Sequence, residues 1–173
     1  ATSLDDIVAR RIADLTAYQD ANYAARFNTL VARVRASGND VLAETVARSM
    51  YKLMAYKDEY EVGRLYSDGR FRAAFDAQFS DGSAKVQLSP PIFAKLDPAT
   101  GRPKKYSFGP WIFNAFGLLA KMKGLRGTAF DIFGYSADRR LERDLIAGYE
   151  KDVARILTVL SPLTIDIAIE ILS

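Results

Sequence analysis

Apolar positions recur at helical spacing along most of the chain. From Leu4 the run Val8, Ile12, Leu15, Tyr23, Phe27, Leu30 and Val34 follows i, i+4, i+7 steps, the signature of one buried helical face. No glycine or proline interrupts it before Ser37-Gly38-Asn39, so the pattern predicts one very long N-terminal helix of on the order of 45 Å. Ser3 and Asp6 form a capping box at its start. A second helix is expected from Asn39 or Asp40, with Leu42, Val46, Met50 and Leu53 on one stripe. At the same spacing that stripe runs on into Tyr56, Lys57, Tyr60, Glu61 and Arg64, where an apolar seam becomes charges framed by tyrosines.

Leu65 to Phe79 reads as a further short helix with Leu65, Phe71, Phe75 and Phe79 as its apolar contacts, and Ser67-Asp68-Gly69-Arg70 reads as a turn. Ala84 to Leu88 alternates like a strand and stops at Ser89-Pro90-Pro91. A return strand is expected near Ile92 to Lys95 or after the turn Asp97-Pro98-Ala99-Thr100-Gly101. Trp111 to Met122 is an apolar helix entered through Gly109-Pro110. Leu125 to Tyr135 reads as irregular, with Gly127 and Gly134 as hinges. Ser136 is the N-cap of a helix whose Leu141, Leu145, Tyr149, Val153, Ile156 and Leu160 form the core face. Ile165, Ile167, Ile169 and Ile171 alternate as in a strand, but Ser161-Pro162 is a good N-cap and N1 pair, and helix is preferred. The expected fold class is mainly α: a single helical domain over 1–173 of about five to six helices, with a small β-hairpin or extended excursion in the middle.

The 173 residues are 49% hydrophobic and contain neither Cys nor His. That length buries roughly 70% of the unfolded surface without a disulfide or metal. Without Cys and His, zinc sites, thiolate iron–sulfur ligation and Cys or Ser–His nucleophile systems are excluded. No apolar run approaches the roughly 20 residues of a bilayer span, and no signal-peptide pattern opens the chain. A soluble, cytoplasmic protein with no membrane partner is expected; a start at Ala1 fits either removal of Met or a piece of a longer protein.

Charge is unevenly placed. The chain nets +3, yet Ala99 to Phe130 holds Arg102, Lys104, Lys105, Lys121, Lys123 and Arg126 with no acidic residue, which leaves the remainder at −3. These six are candidate partner- or phosphate-binding residues, facing another domain, an acidic protein or a coenzyme A phosphate; a solvated face is the commoner meaning of such a run. The aromatics among them are core by spacing, and no RNA- or DNA-binding pattern accompanies them. Tyr56, Lys57, Tyr60, Glu61 and Arg64 are a candidate structural ion cluster that orders the long loop. Asp138 to Asp144 is a dense charge run, read as a solvated helix face.

Two blocks carry a family resemblance. Tyr51-Lys52-Leu53-Met54-Ala55-Tyr56-Lys57-Asp58-Glu59-Tyr60-Glu61-Val62 with Arg64-Leu65-Tyr66 and Asp68-Gly69-Arg70-Phe71 form the first, and Asp97 to Pro103 through Phe108-Gly109-Pro110-Trp111 the second. They resemble the C-terminal domain of long, fused indolepyruvate ferredoxin oxidoreductases. Leu125-Arg126-Gly127-Thr128, Phe133-Gly134-Tyr135 and Arg139 to Glu142 extend the likeness, in the same order, from about Asp14 to Glu170. The resemblance implies a parent that oxidatively decarboxylates arylpyruvates to acyl-coenzyme A, using thiamine diphosphate, Mg and iron–sulfur clusters with ferredoxin as acceptor. This chain shows no Gly-Asp-Gly thiamine-diphosphate motif, so no catalytic, cofactor-binding or metal residues carry over. The expectation is an accessory domain without its own cofactor, a C-terminal fragment or separate subunit, whose partners are the parent's other domains or subunits and ferredoxin. Two other readings stay open: an independent nucleic-acid-binding domain, and a small acid/base enzyme using Lys57, Tyr60 and Glu61.

Overall fold

A computed structural model of the chain describes residues 3–67, 69, 71, 73, 77, 86–88, 101, 106–109 and 111–173. Seven α-helices form among the described residues: α1 (Leu4–Tyr18), α2 (Ala21–Arg35), α3 (Asp40–Met54), α4 (Glu59–Ser67), α5 (Ile112–Lys121), α6 (Ala137–Thr158) and α7 (Ile165–Leu172). A short 3-10 turn, Met122–Leu125, follows α5. Strands β1 (Val86–Leu88) and β2 (Tyr106–Phe108) pair antiparallel, with Gln87 opposite Ser107. The return strand therefore follows the Asp97 to Gly101 segment, most of which lies outside the described residues. The protein is mainly helical, and its contacts divide it into two compact units, 1–57 with 123–173, and 58–122.

The expected single long N-terminal helix is two helices. Asp20 breaks it: its backbone is extended (φ −162°, ψ 178°) and its Oδ1 accepts the Tyr23 N–H at 2.8 Å. An aspartate that caps a new helix competes with continuation of the old one. The apolar period survives the break because α1 and α2 pack on one another and on α3. Ser3 and Asp6 make the capping box at α1 as expected, and Asn39 Oδ1 caps α3 by accepting the Leu42 N–H at 2.8 Å.

The stripe does not continue from α3 through Arg64 on one helix. α3 ends at Met54, residues 55–58 are non-helical, and the buried Asp58 opens α4 by accepting the Glu61 N–H at 2.8 Å. The helix expected from Leu65 is displaced likewise: Leu65 belongs to α4, while Phe71, Ala73 and Ala77 are helical beyond Gly69.

In the first unit the core is built from α1, α2, α3, α6 and α7 around Leu15, Phe27, Val34, Leu42, Met50 and Val153. Arg26 and Glu150 join α2 to α6 in a two-pronged ion pair, Nη2 to Oε2 at 2.8 Å. The expected core face of α6 is only partly buried: Val153 and Ile146 are inside, whereas Leu141 and Leu145 are exposed. Steps of four residues advance about 400° around a helix, so each drifts about 40° and Leu141 is carried about 120° off the Val153 line. A seven-residue step drifts only about 20°, which is why Ile146 is the residue that stays in. α7 is a helix, yet Ser161 does not cap it; Thr164 is its N-cap residue and turns its hydroxyl back to Ser161.

Tyr149 on α6 reaches the end of α7, donating its hydroxyl to the Leu172 carbonyl at 2.7 Å. Burial pushes its phenol up from 10.0 to about 12. A phenol that holds its proton more tightly when folded contributes stability that is intact below pH 10.0 and is lost as pH climbs through about 12.

In the second unit α4 packs on α5, and Gly63 is the point of closest approach. A Cβ there would sit 2.8 Å from Leu119 Cβ and 2.9 Å from the Phe116 carbonyl oxygen. Around it Tyr66 stacks on Phe116, ring centroids 5.0 Å apart, with Phe113 beside them.

Two measurements check this packing. Gly63→Ala should destabilise the protein by about 1–3 kcal/mol through overpacking, read from urea denaturation. Gly148→Ala, inside α6 with nothing within 4 Å of the new Cβ, should instead stabilise by about 0.5–1 kcal/mol; equal effects at the two sites would refute the close approach. Separately, stability should fall between pH 10.0 and about 12, and Tyr149→Phe should flatten that part of the profile.

Candidate functional site

Of the expected basic cluster, Lys123 and Arg126 are engaged by the chain's own backbone. Arg102, Lys104 and Lys105 lie outside the described residues. Lys121 ends α5 and is exposed, beside a hollow of about 460 Å³ lined also by Tyr66, Phe113 and Gly117. Lys123 and Arg126 turn inward within the first unit. Lys123 Nζ donates to the Ala17 carbonyl at 2.7 Å and the Thr16 carbonyl at 3.4 Å. Arg126 is buried, donates Nη1 to the Tyr18 carbonyl at 2.8 Å and lies 3.7 Å over the Tyr18 ring. α1 has no basic residue in its own last turn. These two cations satisfy its last carbonyls and the negative end of its dipole.

The candidate ion cluster has members in both units. Glu61 is held by Arg64 through two bonds of 2.7 and 2.8 Å on α4, and Tyr60 is buried there. In the first unit Tyr56 has Arg139 5.5 Å over its ring and accepts the Tyr18 hydroxyl at its carbonyl, 2.9 Å away. The Lys57 side chain is exposed, and its carbonyl accepts from Arg139 Nη2 at 3.4 Å.

Sequence reasoning missed the group that organises the segment between Arg126 and Ser136. Asp131 is buried, and its carboxylate accepts the Gly127 N–H on Oδ2 at 2.8 Å and the Gly134 N–H on Oδ1 at 3.0 Å. Gly134 is required by contact, since a Cβ there would run into the Asp131 carboxylate. The expected hinges are thus pinned positions. Tyr135 Oη ties the loop to the Ala129 carbonyl at 2.7 Å, and Arg143 Nη2 reaches from α6 to the Gly134 carbonyl at 2.7 Å. The readable signal was Gly127-x3-Asp131-x2-Gly134, an acid spaced to bond backbone on either side of itself.

With its polar groups turned inward, the loop shows its apolar ones to solvent. Phe130, Ile132 and Tyr135 are 77%, 61% and 63% exposed, and Leu141 and Leu145 on the adjoining α6 are exposed too. Asp138 to Asp144 is not uniformly solvated: Arg139 is half-buried and pairs with Glu142 at 2.7 Å.

Among the described residues no group of three or more His, Cys, Asp or Glu could hold a metal ion, and no helix is long and apolar enough to cross a membrane. Fold and site together define a mainly helical protein whose charged side chains in this region bind its own backbone. The chain belongs to a family of unknown function, DUF6537, whose profile matches residues 4–173. No curated protein and no solved structure matches it.

Arg126→Met should cost about 2–3 kcal/mol, because a buried charged hydrogen bond and the stacking on Tyr18 go together. Lys123→Met, removing a more exposed contact, should cost about 1 kcal/mol or less. Urea midpoints for the two variants check the order, and a reversal would contradict the capping role of Arg126.

Proposed function

We propose that the chain is a non-catalytic accessory and assembly domain of an indolepyruvate ferredoxin oxidoreductase-like enzyme, and that the loop from Arg126 to Ser136 is its docking element. One observation carries this reading. Phe130, Ile132 and Tyr135 stand in solvent on a loop whose conformation is fixed by a buried carboxylate. A rigid loop presenting large apolar side chains binds with little ordering cost, and exposed apolar surface of this kind marks interaction sites. The motif words Leu125 to Thr128 and Phe133 to Tyr135, which carry part of the family resemblance, fall on the same loop. Thiamine diphosphate, Mg, iron–sulfur clusters and coenzyme A would then belong to the parent's other domains.

Any electrostatic docking of ferredoxin or of a coenzyme A phosphate falls on Arg102, Lys104, Lys105 and Lys121, because Lys123 and Arg126 are engaged at the end of α1. That engagement also reduces the basic surface open to nucleic acid. The acid/base enzyme reading is weakened by Arg64, which takes up Glu61 with two hydrogen bonds.

The test is the triple variant Phe130→Ser, Ile132→Ser, Tyr135→Ser. It should retain the helical circular dichroism signal and a melting temperature within about 2–4 °C of the parent chain. Its association with the thiamine-diphosphate-bearing remainder of the oxidoreductase, measured by analytical ultracentrifugation, should weaken by about ten-fold or more. Undiminished association would rule out this loop as the docking element.

A further inference from the structure

Beneath the same loop lies a hollow of about 320 Å³, lined by Gly127, Thr128, Asp131, Gly134, Arg140 and Arg143 among others. Its charge is unbalanced. Asp131 is the only acidic residue of the lining, and both its oxygens already accept backbone N–H groups. Arg143 spends Nη2 on the Gly134 carbonyl, while its Nη1 is shut off from solvent and has no acceptor. Arg140, one turn earlier on α6, is exposed and makes no ion pair among the described residues.

A buried guanidinium nitrogen without an acceptor is uncommon, because the lost hydration is not returned by the protein. The other described residues obey that rule: Nη1 of Arg143 is the one buried side-chain nitrogen or oxygen left without a partner among them. A group that accepts hydrogen bonds, suits the planar fork of an arginine and carries negative charge would return both the lost bond and the charge balance. A carboxylate or a phosphoryl group has all three properties.

We infer that this hollow is an oxyanion-binding site, in which Arg140 and Arg143 hold a carboxylate or phosphate group against the Gly127 to Gly134 turn. Arg143 is the fixed half of the fork, since Gly134 anchors it. Arg140 is the exposed half, on the solvent side of the hollow. The site stands independently of the docking reading, because it needs no partner protein.

The experiment is a titration of the ¹⁵N-labelled chain, followed by NMR, with sodium phosphate and with sodium acetate, each against sodium chloride at matched ionic strength. Saturable shifts of the Gly127 and Gly134 amides and of the Arg143 Nε resonance are expected. Arg140→Gln should weaken the binding about ten-fold without unfolding the chain. Arg143→Gln should abolish it, but also removes the Gly134 anchor, so Arg140→Gln is the decisive variant. Saturation by phosphate alone assigns a phosphate ester as the ligand class, and saturation by acetate assigns a carboxylate. Shifts reproduced by sodium chloride, or unchanged in Arg140→Gln, would overturn the site.

Discussion

The carbonyl ends of α1 and α3 are the constraint on which the first unit depends. Neither helix ends in a left-handed cap residue; Gln19 and Ala55 both have negative φ. Their last carbonyls must find donors elsewhere or stay unsatisfied. At α1 the donors are Lys123 and Arg126, more than a hundred positions away in sequence. At the exit of α3 they are Tyr23, which gives its hydroxyl to the Met54 carbonyl at 3.0 Å, Tyr18 on the Tyr56 carbonyl, and Arg139 on the Lys57 carbonyl. The buried charged bond from Arg126 contributes about 1.5–3 kcal/mol net, comparable to burying a large side chain; the exposed bonds of Lys123 and Arg139 contribute less.

Those bonds explain how a unit made of two separated stretches of chain behaves as one body. Residues 1–57 and 123–173 share a core, but apolar burial is non-directional and leaves open which atom meets which. Hydrogen bonds to specific carbonyls do not. Arg26 with Glu150, and Ser49, whose hydroxyl donates to the Ser173 carbonyl at 2.9 Å, add fixed points within α6 and just past the end of α7. The loop after Arg126 inherits this rigidity: Arg126 secures its start on Tyr18, and Arg143 secures its end at Gly134.

Much of the helical architecture was legible because it rests on apolar period and on local caps. Ser3, Asn39 and Ser136 cap where expected, and Val86 to Leu88 is extended as alternation predicts. What failed was discrimination between rival local signals. Asp20 and Asp58 are both caps inside runs that remain helical in period, and period alone does not show a break that restarts in phase. The site was less legible for a different reason. Lys123 and Arg126 count as positive charge in any composition, and only the position of the α1 terminus decides whether they face outward or inward. Asp131 sat in a stretch read as irregular, although its flanking glycines carried the spacing of a carboxylate-centred turn.

That turn accounts for the unusual distribution of polarity around it. An irregular loop must satisfy its backbone, and exposed loops ordinarily do so with water. Here a buried aspartate satisfies it from within, which frees the outer face from any need to be polar. Phe130, Ile132 and Tyr135 can then stand exposed without collapsing onto the core, because the backbone that carries them cannot follow. Burying each later is worth about 1.5–3 kcal/mol, with the conformational cost already met during folding. With Asp131 committed inward and Glu142 taken by Arg139, Arg140 and Arg143 of α6 are left without a carboxylate among the described residues. One carboxylate therefore accounts both for the apolar rim of the loop and for the positive hollow under it.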